Sequence, residues 1–346
     1  MYERVAEQIV THHLHIRKNE RFFIITDSIN TLAGRVARVC YDMARSMGIA
    51  SEIVVQRKIS FGTPDKKVVA MAKRLRKNDC ILISLDGKIG NFYGVLGRSF
   101  RAFLRAKGTR FVNMSGLENM KTGKILSDRL CNKNLEEVEK TGKMLKTIMD
   151  NGKELKIFGA SGTVLTSSIE RRRSWLNTGE YHRPGTGGKI PAGNVNVFPV
   201  ENSINGEVVL DVSVKVEAET IPLKDFVTFR VENGEIVEIS GNNEIVERMY
   251  NDLNNFSFIN ARSGMNPRCI FRISEIGFGL LDGYPIGMTI FDSVLMNICH
   301  VSNGNNFGKG GRNRCRGQRD HLFWLKAFEV DGEKFTMKKI RQRCAL

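Results

Sequence analysis

The stretch RFFIITDSINTLAGRVARVCYDMARSMGIASEIVVQRK, Arg21 to Lys58, decides the first half of the fold. It opens on a short apolar run, Arg21 to Ser28, closed by polar residues, which reads as a buried strand. Residues Leu32 to Met47 follow with helical periodicity, placing Ala33, Val36, Ala37, Cys40 and Ala44 on one side. Gly48 suits a helix stop. ASEIVVQRK then reads as a second strand. Strands that alternate with helices through short connections imply a parallel sheet covered on both faces.

The same grammar extends outward. Tyr2 to Leu14 reads as an amphipathic helix. Pro64 to Leu75 reads as a helix, Cys80 to Leu85 as a strand, Gly97 to Ala106 as a helix, Thr109 to Ser115 as a strand and Leu135 to Met149 as a helix. No GxGxxG follows the first strand, so a dinucleotide site is not indicated. After about Asp150 the pattern becomes strand-rich: ELKIFGASG, then Glu207 to Val216, then Val227 to Gly241, with Asn233-Gly234 placed as a hairpin turn. Asn243 to Leu253 returns to helical spacing. The expected architecture is an α/β parallel-sheet domain over residues 1–160, then an α+β domain rich in antiparallel strands over 161–346. The loop-like tract TGEYHRPGTGGKIPAGN lies near the junction.

With 346 residues, 41% apolar and 26% charged, the composition is that of a folded protein, which excludes a disordered or collagen-like chain. The formal charge of +16 favours anionic partners, nucleic acid among them, although the lysines and arginines are spread along the whole chain. Seven widely spaced cysteines without a CxxC pair do not suggest a secreted disulfide scaffold. No signal peptide and no apolar run of membrane-spanning length is present, so the expected setting is a reducing cytoplasm, with no membrane partner.

Carboxylates and imidazoles are natural ligands of zinc, manganese, cobalt or iron. Glu275 in RISEIGFG, His300 in NICHVSNG, and Asp320 and His321 in GQRDH each stand where an element gives way to a loop. A buried histidine with a hydrogen-bond partner, and a glutamate paired with an arginine, is the plainer reading of the same residues. Arg312, Arg314, Arg316 and Arg319 could follow phosphates, but no aromatic residues interleave with them. Such arginines also grip carboxylates. Arg171, Arg172 and Arg173 form a second basic cluster, where Arg171 could contact an anion of the substrate.

At this point several motifs share one resemblance. GKIPAGNVNVFPVENSINGEVVLDVS (Gly188 to Ser213), SEIGFG (Ser274 to Gly279), HVSNGNNF and GGRNRCRGQRD occur in the order of the elements of the aminopeptidase T family of metallopeptidases. FGASGTVLTSSIERRR resembles that family's strand–loop and the arginine at its domain junction. The resemblance implies a two-metal site of two glutamates, two histidines and an aspartate beside a tyrosine, and a homodimer. Carried over, Glu275, His300 and Asp320 match. The first glutamate falls on Asn194, the tyrosine on Phe307 and the second histidine on Gln318. His321 lies beyond Asp320 as a substitute ligand.

The expectation is an aminopeptidase-like metal-dependent hydrolase with a reduced, single-metal site. Glu275, His300 and Asp320 would hold a divalent ion that activates water. Asn194 and Gln318 would orient water or the substrate amine, and the arginines at 312, 314, 316 and 319 would attract a carboxylate of a peptide or small amide substrate. The alternatives are a metal-free peptide-binding or partner protein on the same scaffold, a nucleic-acid-associated protein, and a ring-opening or other small-molecule metalloenzyme. The aminopeptidase T family is itself similar to dihydroxypyridine ring-cleaving dioxygenases, which hold one iron through two histidines and an aspartate. This chain offers one clear matching histidine.

Overall fold

The computed structural model describes residues 2–59, 62–117, 123–131, 135–217 and 219–345. The chain forms two units: Met1–Lys133 with Gly179–Ala192, and Asn134–Thr178 with Gly193–Leu346. The chain therefore passes between the units at three places, where the sequence suggested one passage near residue 160. Pairing explains why. Glu154–Gly159 bonds antiparallel to Gln318–Val330, which draws it into the second unit. Gly187–Lys189 adds parallel to Arg110–Ser115, which returns it to the first.

The first unit is a parallel sheet in the order Ala50–Val55, Arg21–Thr26, Cys80–Leu85, Arg110–Ser115, Gly187–Lys189. The Cys80–Leu85 strand is buried at every position, which is why it is apolar rather than alternating except at Ser84, whose hydroxyl donates to the Ala33 carbonyl. Phe23, Ile25, Met71, Ile81, Leu104 and Phe111 belong to one core. Helix Leu32–Ser46 buries Ala33, Val36, Ala37, Cys40 and Ala44, and the Thr31 hydroxyl caps it by accepting the Gly34 N–H. The N-terminal helix is regular only over Tyr2–Glu7. It then widens into a π-helical turn over Gln8–His13. His13 is buried there, with Nδ1 2.8 Å from the Gly179 carbonyl oxygen.

The second unit is a large, mostly antiparallel sheet. Its central strands are Glu154–Gly159, Gln318–Val330, Ile298–Gly304, Ile273–Gly279 and Asn194–Val197, in that order. Val227–Glu232 and Glu235–Gly241 form the expected hairpin. Asn233 and Gly234 have φ of 50° and 80°, the two positive values that a type I′ turn requires. The run Glu207 to Val216 is two strands, Asn205–Leu210 and Ser213–Val216. The break falls at Asp211, whose carboxylate accepts from Ser161 Oγ and the Trp324 N–H. The helix from Asn243 extends to Arg262 and keeps Met249, Asp252, Leu253 and Asn260 buried. Among the described residues no helix is long and apolar enough to cross a membrane.

One cysteine pair departs from the all-thiol expectation. Cys269 and Cys315 are disulfide-bonded with Cα atoms 5.6 Å apart, and the other five cysteines are free. The pair is 46 residues apart in sequence, so no short spacing announces it. Alkylation in denaturant without reductant should label five thiols per chain, rising to seven after reduction. Seven labelled thiols before reduction would refute the pairing.

Candidate functional site

Four neighbouring strands of the second unit put their polar residues on one face. Side chains two positions apart along a strand share a face. Asn194 and Asn196, Glu275 and Gly277, His300 and Ser302, and Gln318 and Asp320 are four such pairs. The register then aligns them across strands. Ser302 stands opposite both Glu275 and Asp320, and Gly277 stands opposite both His300 and Asn196. The imidazole of His300 lies across Gly277, where a Cβ would fall 1.9 Å from His300 Cε1. Only glycine leaves room for that ring.

Glu275 is the hub. Its side chain is 5% exposed. Oε1 accepts from Asn196 Nδ2 at 2.6 Å and lies 3.7 Å from His300 Nε2. Oε2 accepts from Lys309 Nζ at 2.9 Å and from Gln318 Nε2 at 2.8 Å. Burial alone would raise its proton affinity, but the Lys309 ammonium and the His300 ring outweigh burial and hold the carboxyl well below the usual carboxylate range. Lys309 Nζ also donates to Gln318 Oε1 at 2.8 Å. Asp320 Oδ1 accepts from Ser302 Oγ at 2.7 Å and from Gln318 Nε2 at 3.4 Å. Asn194 donates to Asn196 Oδ1 at 2.6 Å. Within this cluster, two buried atoms of the described residues find no hydrogen-bond partner: Asn194 Oδ1 and His300 Nδ1. Buried polar atoms are normally satisfied, so this pair marks where a ligand's polar groups could complete the site.

Of the residues singled out in the sequence, Glu275, His300, Gln318, Asp320 and Asn194 thus meet in one cluster. The others do not. His321 points to the opposite face, with Nε2 2.9 Å from Asn303 Oδ1 and its ring edge-on to Phe229. Phe307 is 50% exposed, beneath the Arg314 guanidinium at 4.3 Å. Arg319 makes a two-pronged pair with Asp252, at 2.6 and 2.8 Å, on the helix Asn243–Arg262. Arg316 is exposed, and its backbone N–H donates to Asn260. Arg312 and Arg314 line a cavity of about 560 Å³ together with Glu201, Asn202 and Arg272. Arg171 is exposed in the left-handed region at φ 59°. Its neighbour Arg172 reaches the loop instead, donating to Glu201 at 2.7 Å and to the Gly310 carbonyl. Sequence reading missed Lys309 and Asn196. Asn196 was findable, two residues beyond Asn194 on a strand. Lys309 sits in a glycine-rich loop with no period to expose it.

Burial pushes the His321 imidazole down to about 3 from an ordinary 6.5, although Asp320 pulls it partly back. The folded value lies below the unfolded one, so the unfolded chain binds the proton first. Stability should therefore fall as the pH drops below about 6.5, by up to roughly 1.4 kcal/mol per pH unit, until about pH 3. Glu275, held low, adds to the loss only below about pH 4.5. Urea midpoints should decline between pH 7 and 5, with the His321 ring neutral by NMR throughout that range. A His321 titration midpoint near 6.5 would contradict this.

Resemblance to metal-dependent families is consistent with a metal cofactor at this cluster. The donors as arranged do not fit one. Among the described residues no group of three His, Cys, Asp or Glu gathers closely enough to hold a metal ion. Gln318 turns its amide N–H groups toward Glu275 and Asp320, and an ammonium already lies on Glu275. A metal would need those carboxylate lone pairs.

The family model of NicX, 2,5-dihydroxypyridine 5,6-dioxygenase, matches residues 18–285. Among solved structures, the 2,5-dihydroxypyridine dioxygenase from Pseudomonas putida KT2440 is similar with a TM-score of 0.73, 15% identity, and 96% and 95% of the two chains covered. Wild-type AmpT from Thermus thermophilus is similar with a TM-score of 0.63, 13% identity, and 97% and 96% covered. No curated protein matches the sequence. At these identities the structural likeness speaks to fold alone. The family match overturns the aminopeptidase T assignment, and with it the hydrolase and protease reading. The match extends from the first parallel strand into the strands of the polar cluster, and by it this chain belongs to the NicX family.

Proposed function

We propose that the chain opens the ring of a small hydroxylated nitrogen heteroaromatic with dioxygen, the reaction its family's name describes. Family membership carries this reading. The cluster supports it with groups suited to such a ligand. His300 Nδ1 is buried and unpartnered, so it can take the proton of a ring hydroxyl. The O–H bond then breaks toward the imidazole, and the electron pair stays on the ring oxygen. Asn194 Oδ1, also unpartnered, can accept from a ring N–H. Both atoms of dioxygen end in the opened product, so the overall reaction needs no separate reductant.

The test is oxygen uptake by the purified protein with 2,5-dihydroxypyridine and a panel of hydroxypyridines and dihydroxybenzenes. At least one compound should consume one dioxygen per ring, with loss of ring absorbance. His300→Ala should abolish the uptake. No uptake with any member of the panel would contradict the reading.

A further inference from the structure

Lys309 is absent from every motif that drew attention to this region, yet it occupies the centre of the cluster. Its Nζ lies 2.9 Å from Glu275 Oε2 and 2.8 Å from Gln318 Oε1, and 5.9 Å from the centre of the Phe198 ring. The side chain is 23% exposed and its carboxylate partner 5%. An ammonium has three N–H groups, and two are spoken for. Among the described residues no third acceptor is found.

We propose that the Lys309 ammonium is the resident cation of this site, standing in place of a metal ion and presenting its remaining N–H to the oxyanion of the ligand. The argument is one of charge and of occupied lone pairs. Glu275 already has both oxygens in use, by Asn196 on one side and by Lys309 and Gln318 on the other. A divalent ion placed on Glu275 would meet the ammonium at contact distance, a like-charge pair in a largely dry setting. Gln318 matches this arrangement and not the metal-holding one. Its carbonyl oxygen accepts from the ammonium while its N–H groups serve the carboxylates. An imidazole at the same position could not supply two donors and an acceptor at once. The remaining N–H suits the oxyanion of a deprotonated ring hydroxyl, so the favoured ligand presents one such oxygen to Lys309. The identity of that ligand rests on the functional reading above; the assignment of the cation does not.

Two measurements on the full-length protein, without substrate, test the proposal. The first titrates MnCl2 and ZnCl2 calorimetrically into the native protein and into His300→Ala. The second follows acetylation of Lys309 by mass spectrometry with and without those metals. The expected result is no binding heat that His300→Ala removes, and a Lys309 labelling rate below that of the exposed lysines and unchanged by metal. One equivalent of metal that His300→Ala abolishes, with Lys309 becoming reactive as metal is added, would overturn the proposal. Activity separates the two readings. Ring opening only after metal is added would sink the lysine assignment and leave the function standing. No ring opening under any condition, with no His300-dependent metal binding, would do the reverse.

Discussion

Replacing Lys309 with methionine is expected to lower the unfolding free energy by about 3–5 kcal/mol, the usual cost of stripping a buried charge of its partner. The carboxylate of Glu275 is nearly inaccessible to water, and among the described residues Lys309 is its only full positive charge within 3 Å. Methionine keeps much of the stem's volume, so lost packing contributes little. The decisive comparison is the double variant Lys309→Met with Glu275→Gln. Removing the orphaned charge as well should restore most of the lost stability, because a neutral amide still bonds to Asn196 and Gln318. Urea unfolding of the two single variants and the double variant gives the coupling directly. A loss below about 1 kcal/mol for Lys309→Met would place the ammonium in solvent, where ion pairs contribute that little.

The second large effect is expected from Gly277→Ala. The methyl group would fall 1.9 Å from His300 Cε1 and 2.4 Å from Nε2. No small adjustment absorbs such an overlap, since both strands are buried along their whole lengths. The imidazole must swing away from the sheet and from Glu275. Overpacking of this kind costs about 1–3 kcal/mol. A catalytic group displaced by about an ångström loses on the order of 100-fold in rate. Adding His300→Ala to Gly277→Ala should recover stability and leave activity absent. Full activity in Gly277→Ala would show that the ring does not need its place over the glycine.

Much of the fold was legible because local physics dictates it. CILISL is apolar at every position but Ser84 since both faces of its strand are covered, and the stripe Ala33 to Ala44 repeats at helical spacing since one side of its helix is buried. The Asn233-Gly234 turn follows from two positive φ angles. The domain limits were less legible, because they depend on which distant strand each segment joins. The cluster was half legible. Glu275, His300, Gln318 and Asp320 lie on strands whose two-residue period assigns faces, but the register that brings Ser302 between Glu275 and Asp320 is set by pairing. That same period separates His321 from Asp320. It could have removed His321 from the ligand candidates at the outset. Lys309 and Cys315 were hidden because a loop without a period sets their positions, and Cys269, on the short helical turn Pro267–Phe271, lies 46 residues from its partner. The choice of family failed for a different reason. Motif order reports a scaffold that resembles both a dioxygenase and AmpT, whereas the chemistry depends on a few side chains whose arrangement motif order does not report.

The most direct test of the account is turnover of 2,5-dihydroxypyridine, or of whichever panel compound consumes oxygen, under isotopically labelled dioxygen. The account predicts a ring-opened product carrying both labelled oxygen atoms, formed by the native protein and not by His300→Ala. Unlabelled product, with its new oxygen drawn from water, would contradict it.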